Sequence, residues 1–229
     1  ELTDERRWDE LMSFYDKALV TVKDTRRRRQ LLDDAAHVAK DFADNPDRAL
    51  DYMGKLLELD PDNTQLQAQL ERLYERQDRW SELVELWRRR IPTAKAREVP
   101  EIRLRIATTY LEKVEDPARA LEEIRTLIDV SPGHEEGLIL LERILGMEDA
   151  QVPTRLGALG LLRTSYDAVK REEDTVRVLE MAIQFTEGEE QVNLRKEAGR
   201  RLANLEKWVE SIGHFAALVK ERPADLDAR

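Results

Sequence analysis

The chain has 229 residues, 38% of them charged, and a formal net charge of −10. A balance this acidic argues against nucleic acid as a partner. With no cysteine there is no disulfide frame, no thiolate metal site and no cysteine nucleophile, and a reducing compartment such as the cytoplasm is favoured.

No apolar run approaches the roughly 18 residues of a membrane span, and no signal peptide is visible. Helical pattern begins almost at Glu1, so the chain reads as a fragment whose neighbours would include further repeats of a parent protein. A first helix is predicted from about Asp4 to Val22, with Trp8, Leu11, Met12, Tyr15 and Leu19 on one stripe. The next runs from Thr25 to Ala43. It opens on Arg26, Arg27, Arg28 and Arg29 and buries Leu32, Ala35, Ala36, Ala39 and Phe42. Helices follow from Pro46, from Thr64 to Arg76 and from Arg79 to Ile91. In the last of these Trp80, Leu83, Val84, Trp87 and Ile91 share a face. Pro92 to Pro100 is the clearest loop. Helices are then predicted over Glu101–Val114, from Pro117, over Glu135–Leu145, Pro153–Val169, Val176–Phe185, Gln191–Asn204 and Leu205–Lys220.

One stretch recurs. Asn45 to Asn63 (NPDRALDYMGKLLELDPDN) returns at Asp116 to His134 (DPARALEEIRTLIDVSPGH), 71 residues later. A cap residue followed by proline starts each helix, and Pro61 or Pro132 stops it. QLERLY at Gln69 recurs as LLERIL at Leu140 with the same shift, and RRWDEL at Arg6 resembles DRWSEL at Asp78. Such recurrence marks stacked helix pairs that bury their stripes against neighbours. After Gly146 the match breaks, because the shift would set Trp80 on Gln151 and Leu83 on Thr154. Pro132 to Pro223 spans 91 residues instead of 71. A seam is therefore expected near Met147 to Pro153, with a shortened or missing helix. The tail after Pro223 reads as polar and frayed.

Counted back from the closing prolines, small and large apolar residues fall at Ala49, Met53 and Leu56, at Ala120, Ile124 and Leu127, and at Ser211, Phe215 and Leu218 with Gly199. This pattern resembles the tetratricopeptide repeat in degenerate form. The resemblance implies an all-α fold of antiparallel helix pairs, about six repeats stacked as one domain over 1–229 into a right-handed superhelical solenoid. It also implies a protein–protein interaction scaffold whose first helices line a concave groove.

Taking each first helix to begin 31 residues before its closing proline, the resemblance places Asp34, Val38 and Asp41 in that groove. It adds Arg105, Thr109, Glu112 and Lys113, then Lys196, Arg200 and Asn204. The internal match extends the set to Ala68, Arg72, Arg76, Ile139 and Arg143. Seven cations would thus collect on one face and suit a protein or peptide partner bearing carboxylates. The competing reading pairs these arginines with neighbours such as Glu71, Glu75 and Glu142. Arg26 to Arg29 is either a solvated helix start or a basic docking patch for an acidic partner or anionic lipid.

Chemistry is scarce. The residue four after His134 is Leu138, which excludes a helical zinc-protease motif, and Asp34-x-x-His37 stands alone, so neither a metal nor a cofactor is expected. Gly157 and Gly160 follow no strand and read as close helix packing. Trp8, Trp80 and Trp87 read as core, and Trp208 as a partly exposed cap on the last pair. No catalytic residues are expected. A ligand- or peptide-sensing regulator, hinged at the seam, is the rival to a scaffold.

Overall fold

The computed structural model describes residues 7–221. The predicted helix start at Asp4, Arg6 of RRWDEL, Pro223 and the tail beyond it lie outside the described residues. Twelve α-helices and no strand occur among those described. They are α1 Trp8–Thr21, α2 Thr25–Asp41, α3 Pro46–Leu59, α4 Thr64–Arg76, α5 Trp80–Arg90, α6 Val99–Thr109, α7 Pro117–Val130, α8 Glu135–Gly146, α9 Val152–Ala168, α10 Glu172–Ile183, α11 Gly188–Asn204 and α12 Trp208–Glu221. Ile91–Thr93 is a short 3-10 turn, and Tyr110–Val114 continues α6 as a π turn. No helix among the described residues is long and apolar enough to cross a membrane.

The chain divides after Arg90 into two compact units. The division falls where the first copy of the 71-residue repeat gives way to the second. Pro46–Leu59 and Pro117–Val130 keep the same 14-residue length in the two copies. Their starts have one cause. Asn45 Oδ1 accepts from Arg48 N at 3.1 Å and Asp116 Oδ1 from Arg119 N at 3.0 Å, each ahead of a proline that needs no N–H partner. Asn63 and His134, also one repeat apart, cap α4 and α8, with the His134 ring accepting from Gly137 N.

In the first unit Leu32, Ala35, Ala39, Ala49, Tyr52 and Met53 form a close-packed α2–α3 core. Phe42 departs from the predicted stripe and is 53% exposed, its ring tilted against Trp8 at 5.5 Å. Tyr52 is fully buried yet polar. Its hydroxyl donates to Asp16 Oδ1 at 2.7 Å, and Arg48 pairs with the same carboxylate, tying α3 to α1. Burial, and then the Asp16 charge it faces, push the Tyr52 hydroxyl up to about 12. Burial pulls the Asp16 carboxyl upward, but the Arg48 and Tyr52 hydrogen bonds outweigh it and hold the group below the usual range. A raised folded-state pKa contributes stability that is complete below the unfolded value. The advantage of wild type over Tyr52→Phe should therefore be full below about pH 10 and vanish as pH rises through about 12, read from thermal melts.

In the second unit position 52 becomes Glu123, only 6% exposed, and position 32 becomes Arg103; Arg103 Nη1 donates to Glu123 Oε2 at 2.7 Å. The two copies thus fill one position of the α2–α3 and α6–α7 hairpins with different chemistry.

Helix spacing runs through the seam: α9, α10, α11 and α12 start 72, 73, 71 and 73 residues after α5, α6, α7 and α8, while the left-handed turn that follows α4 at Asp78 has no counterpart after α8. Five connections turn on a left-handed residue, at Asp44, Asp78, Glu115, Lys170 and Glu206. In each, the next amide reaches back to the preceding helix, as Arg79 N does to Tyr74 O and Lys207 N to Leu202 O. These turns define the hairpins α2–α3, α4–α5, α6–α7, α9–α10 and α11–α12. Helix α8 ends instead on an extended Met147 and enters a five-residue connection, 147–151, so it stands outside the hairpin series. The 20-residue surplus of 91 over 71 is the length of one helix with its connection. That connection is clamped. Arg155 Nη2 donates to Met147 O at 2.6 Å and Glu148 O at 3.1 Å, Nε donates to Ala150 O at 3.0 Å, and the guanidinium lies 5.7 Å from the Phe185 ring centre. Arg155→Ala should cost about 1–2 kcal/mol and raise amide exchange over residues 147–151 by hydrogen-exchange mass spectrometry.

Candidate functional site

Ion pairs fix which helices lie side by side. In the second unit Arg143 joins Glu112 at 2.6 Å, so α8 flanks the end of α6. Arg177 pairs with Glu142, setting α10 beside α8, and Lys207 with Glu173 at 2.8 Å, setting α12 beside α10. In the other row Arg201 binds both oxygens of Asp167 at 2.7 and 2.9 Å, and Arg163 reaches Glu197 at 2.8 Å, so α11 flanks α9. Gly157 of α9 closes on Leu121 of α7, where an added Cβ would come within 2.7 Å. The rows are therefore α6, α8, α10, α12 and α7, α9, α11.

This arrangement corrects the single groove read from the sequence. Lys196, Arg200 and Asn204 sit on α11, in the row of α7 and α9, not with Arg105, Lys113 and Arg143 on α6, its π turn and α8. The cause is the connection after α8, which lacks the left-handed turn, so that the hairpins resume at α9 and the rows that hairpin-first and hairpin-second helices occupy are exchanged. Thr109 is 9% exposed and cannot meet a partner. Arg143 is engaged with Glu112. Glu142, the neighbour weighed against it, takes Arg177 and the Tyr166 hydroxyl instead. Arg105 and Lys113 are exposed, as is the apolar Ile139 at 65%.

The first unit holds the clearer site. A cleft of about 450 Å³ is lined by Arg26, Arg29, Gln30, Asp33, Leu56 and Asn63. A second of about 200 Å³ adjoins it through Asp33 and Leu56 and runs between α2 and α4 past His37, Lys40, Asp41, Met53, Leu66 and Gln69. Helical spacing continues the Gln69 stripe of α4 through Arg72 and Arg76. Both arginines are exposed and have no ion-pair partner among the described residues, and the same holds for Arg26. Arg29 is shared with Asp60, and Asp41 with His37 at 2.8 Å. The floor of Met53, Leu56 and Leu66 is apolar, and the rims carry charge.

The arginine run thus splits. Arg26 and Arg29 line the cleft. Arg27 donates its backbone N–H to the capping Asp24 at 2.7 Å, and Arg28 reaches Leu19 O at 3.1 Å. On α2 the cleft-lining stripe is Asp33, His37 and Asp41, one residue off the Asp34 and Val38 taken from the proline count. The helix starts at Thr25, five residues before the counted position, so the count did not fix which stripe faces α4. Asp34 instead lies near α1, where burial and then its charge raise the Tyr15 hydroxyl pKa. His37, His134 and His214 meet carboxylates or a cap, and no group of three or more His, Cys, Asp or Glu that could hold a metal occurs among the described residues.

No family model and no curated protein matches the chain. Solved structures that match include tetratricopeptide repeat proteins. The P58(IPK) TPR domain is 17% identical over 99% of this chain and 64% of that one, with a TM-score of 0.36. The structure of Naa15/Naa10 bound to HypK-THB is 14% identical over 99% of this chain and 36% of that one, with a TM-score of 0.45. A tetratricopeptide repeat protein from Parabacteroides merdae is 17% identical over 84% and 79%, with a TM-score of 0.31. This chain thus spans less than two thirds of the P58(IPK) and Naa15/Naa10 chains. Its own features define its class: a 71-residue period, proline-closed helices and left-handed hairpin turns make it a tetratricopeptide-like helical repeat protein.

Proposed function

We propose that the protein is a non-enzymatic protein–protein interaction scaffold, and that its first unit takes an acidic partner segment along the cleft between α2 and α4. The observation that carries this reading is the set of cations without ion-pair partners, Arg26 at one end and Arg72 and Arg76 along α4, beside an apolar floor. Guanidinium groups bind carboxylates by paired, charge-assisted hydrogen bonds. Asp33 lies between the two clefts and repels a carboxylate there, so the acidic groups of the segment must fall toward the ends and an apolar side chain over Met53 and Leu56. Binding is to a pre-shaped surface and involves no covalent step. A sensor hinged at the seam fits less well, since Arg155 holds that connection at three carbonyls.

Affinity capture from native extract, with wild type beside an Arg26→Glu, Arg72→Glu, Arg76→Glu variant, tests the proposal. Loss of one acidic partner with helicity and melting unchanged supports it, and a fall in affinity of roughly 100-fold is expected from the lost charged pairs. Equal capture by both proteins removes the cleft as the site.

A further inference from the structure

The two repeat copies use one pair of positions differently. Asp41 and Arg72 are 31 residues apart, and one 71-residue period later stand Glu112 and Arg143, also 31 apart. In the second copy Arg143 Nη1 donates to Glu112 Oε1 at 2.6 Å and ties the π turn of α6 to α8. In the first copy the same bridge is open. His37 Nδ1 lies 2.8 Å from Asp41 Oδ2 and Lys40 Nζ 3.6 Å from Oδ1, while Arg72 is exposed and has no ion-pair partner among the described residues.

The residues beside the carboxylate account for the difference. His37 and Lys40 are replaced in the second copy by Thr108 and by the buried Leu111, neither of which carries charge. Glu112 has no cation on its own helix at those positions and goes to the arginine of the next helix. Asp41 has two such cations and stays on α2. Arg72 is thereby left to the cleft.

We propose that Asp41 is an internal competitor for Arg72 and that His37 withholds it: with His37 protonated the cleft stands open, and with His37 neutral Asp41 closes across it onto Arg72. This regulation rests on the reading of the cleft as the binding site. The charged groups around His37 on α2 are Asp33, Lys40 and Asp41. From α4 the facing stripe brings Gln69, then Arg72 and Arg76. Helix α3 presents only the apolar Met53 and Leu56 to this cleft, and the Phe42 ring packs edge-on against His37 at 5.4 Å with Trp8 of α1 behind it. Histidine as a side chain ordinarily changes charge between about pH 5 and 8. Without that charge Asp41 keeps only the longer contact to Lys40. The guanidinium of Arg72 is then the better partner, because it offers a carboxylate two parallel donors. Both alternatives are exposed ion pairs, so the ratio of held to free Arg72 should rise about 3-fold between about pH 5.5 and about pH 8.

Nuclear magnetic resonance of the free protein tests this without any partner. Rotation of the Arg72 guanidinium about its Cζ–Nε bond, assigned by its loss in Arg72→Lys, slows when a carboxylate holds the group. In wild type it should slow as pH rises over that range. In Asp41→Asn it should stay fast throughout. His37→Thr with Lys40→Leu installs the chemistry of the second copy and should hold Arg72 at both pH values, with helicity checked by circular dichroism. An Arg72 that rotates equally freely at both pH values in wild type, a pH dependence that persists in Asp41→Asn, or a free Arg72 in the double variant would each overturn the proposal and leave the cleft as a binding site. Equal capture by the Arg26, Arg72, Arg76 variant would remove the binding site and leave this exchange standing.

Discussion

Arg103→Leu should lower the stability of the second unit by about 2–4 kcal/mol, because it leaves the buried Glu123 carboxylate without its guanidinium. The side chains are 22% and 7% exposed, so water replaces the lost partner poorly. Glu123 keeps a further interaction, which moderates the loss. For a unit of this size the melting temperature should fall by roughly 6–12 °C. The first repeat copy shows the compensating chemistry, since its equivalent of Arg103 is Leu32, fully buried among apolar neighbours. Arg103→Leu with Glu123→Met should therefore recover most of the loss, an apolar pair replacing an ionic one at little cost. Calorimetry on the single and double variants is the measurement. A single variant that melts like wild type would mean that Glu123 is solvated.

Gly199→Leu should destabilise the α11–α12 hairpin by about 1–3 kcal/mol. A Cβ there would lie 2.7 Å and 2.9 Å from the Phe215 ring, and Gly199 O already accepts from Ser211 Oγ at 2.8 Å, so the two backbones have little room to separate. Truncating the ring as well, with Phe215→Ala, should return part of the loss. Gly160 is the contrast. Nothing lies within 4 Å of its added Cβ, and Gly160→Ala should stabilise α9 by up to about 1 kcal/mol through helix propensity. Urea unfolding of the three variants separates the cases. Of the G-x-x-G pair read from sequence as close packing, only Gly157 has that role.

Much of this fold lies open in the sequence. Proline and its cap act locally, so Asn45-Pro46 and Asp116-Pro117 fix the starts of α3 and α7, and the 71-residue shift between them holds for both ends. The buried Ala49, Ala120 and Ser211 sit where the repeat pattern places small residues. The break in the hairpin series at α8 was visible only as a surplus of length. A length difference does not say where the hairpin series breaks, and the signal that does, an extended Met147 after α8 where the preceding copy turns left-handed at Asp78 after α4, is a backbone property. The site was less legible. Rotating a helix by one residue moves its face by about 100°, so Asp33 and Asp34 have different neighbours although a proline count separates them barely. The match of Arg103 to Glu123 was likewise hidden, because a buried ion pair between helices 20 residues apart has no mark in a linear pattern.

Helix α8 has a consequence for how such a chain can change. Adding a hairpin lengthens the array by an even count and leaves every later surface on the side it had. Adding or losing one helix is a change of parity. Everything downstream keeps its sequence signature and its core, yet trades the side of the layer it presents. A graft of a known groove onto α9 or α11 by sequence register would be well folded and would face the wrong way.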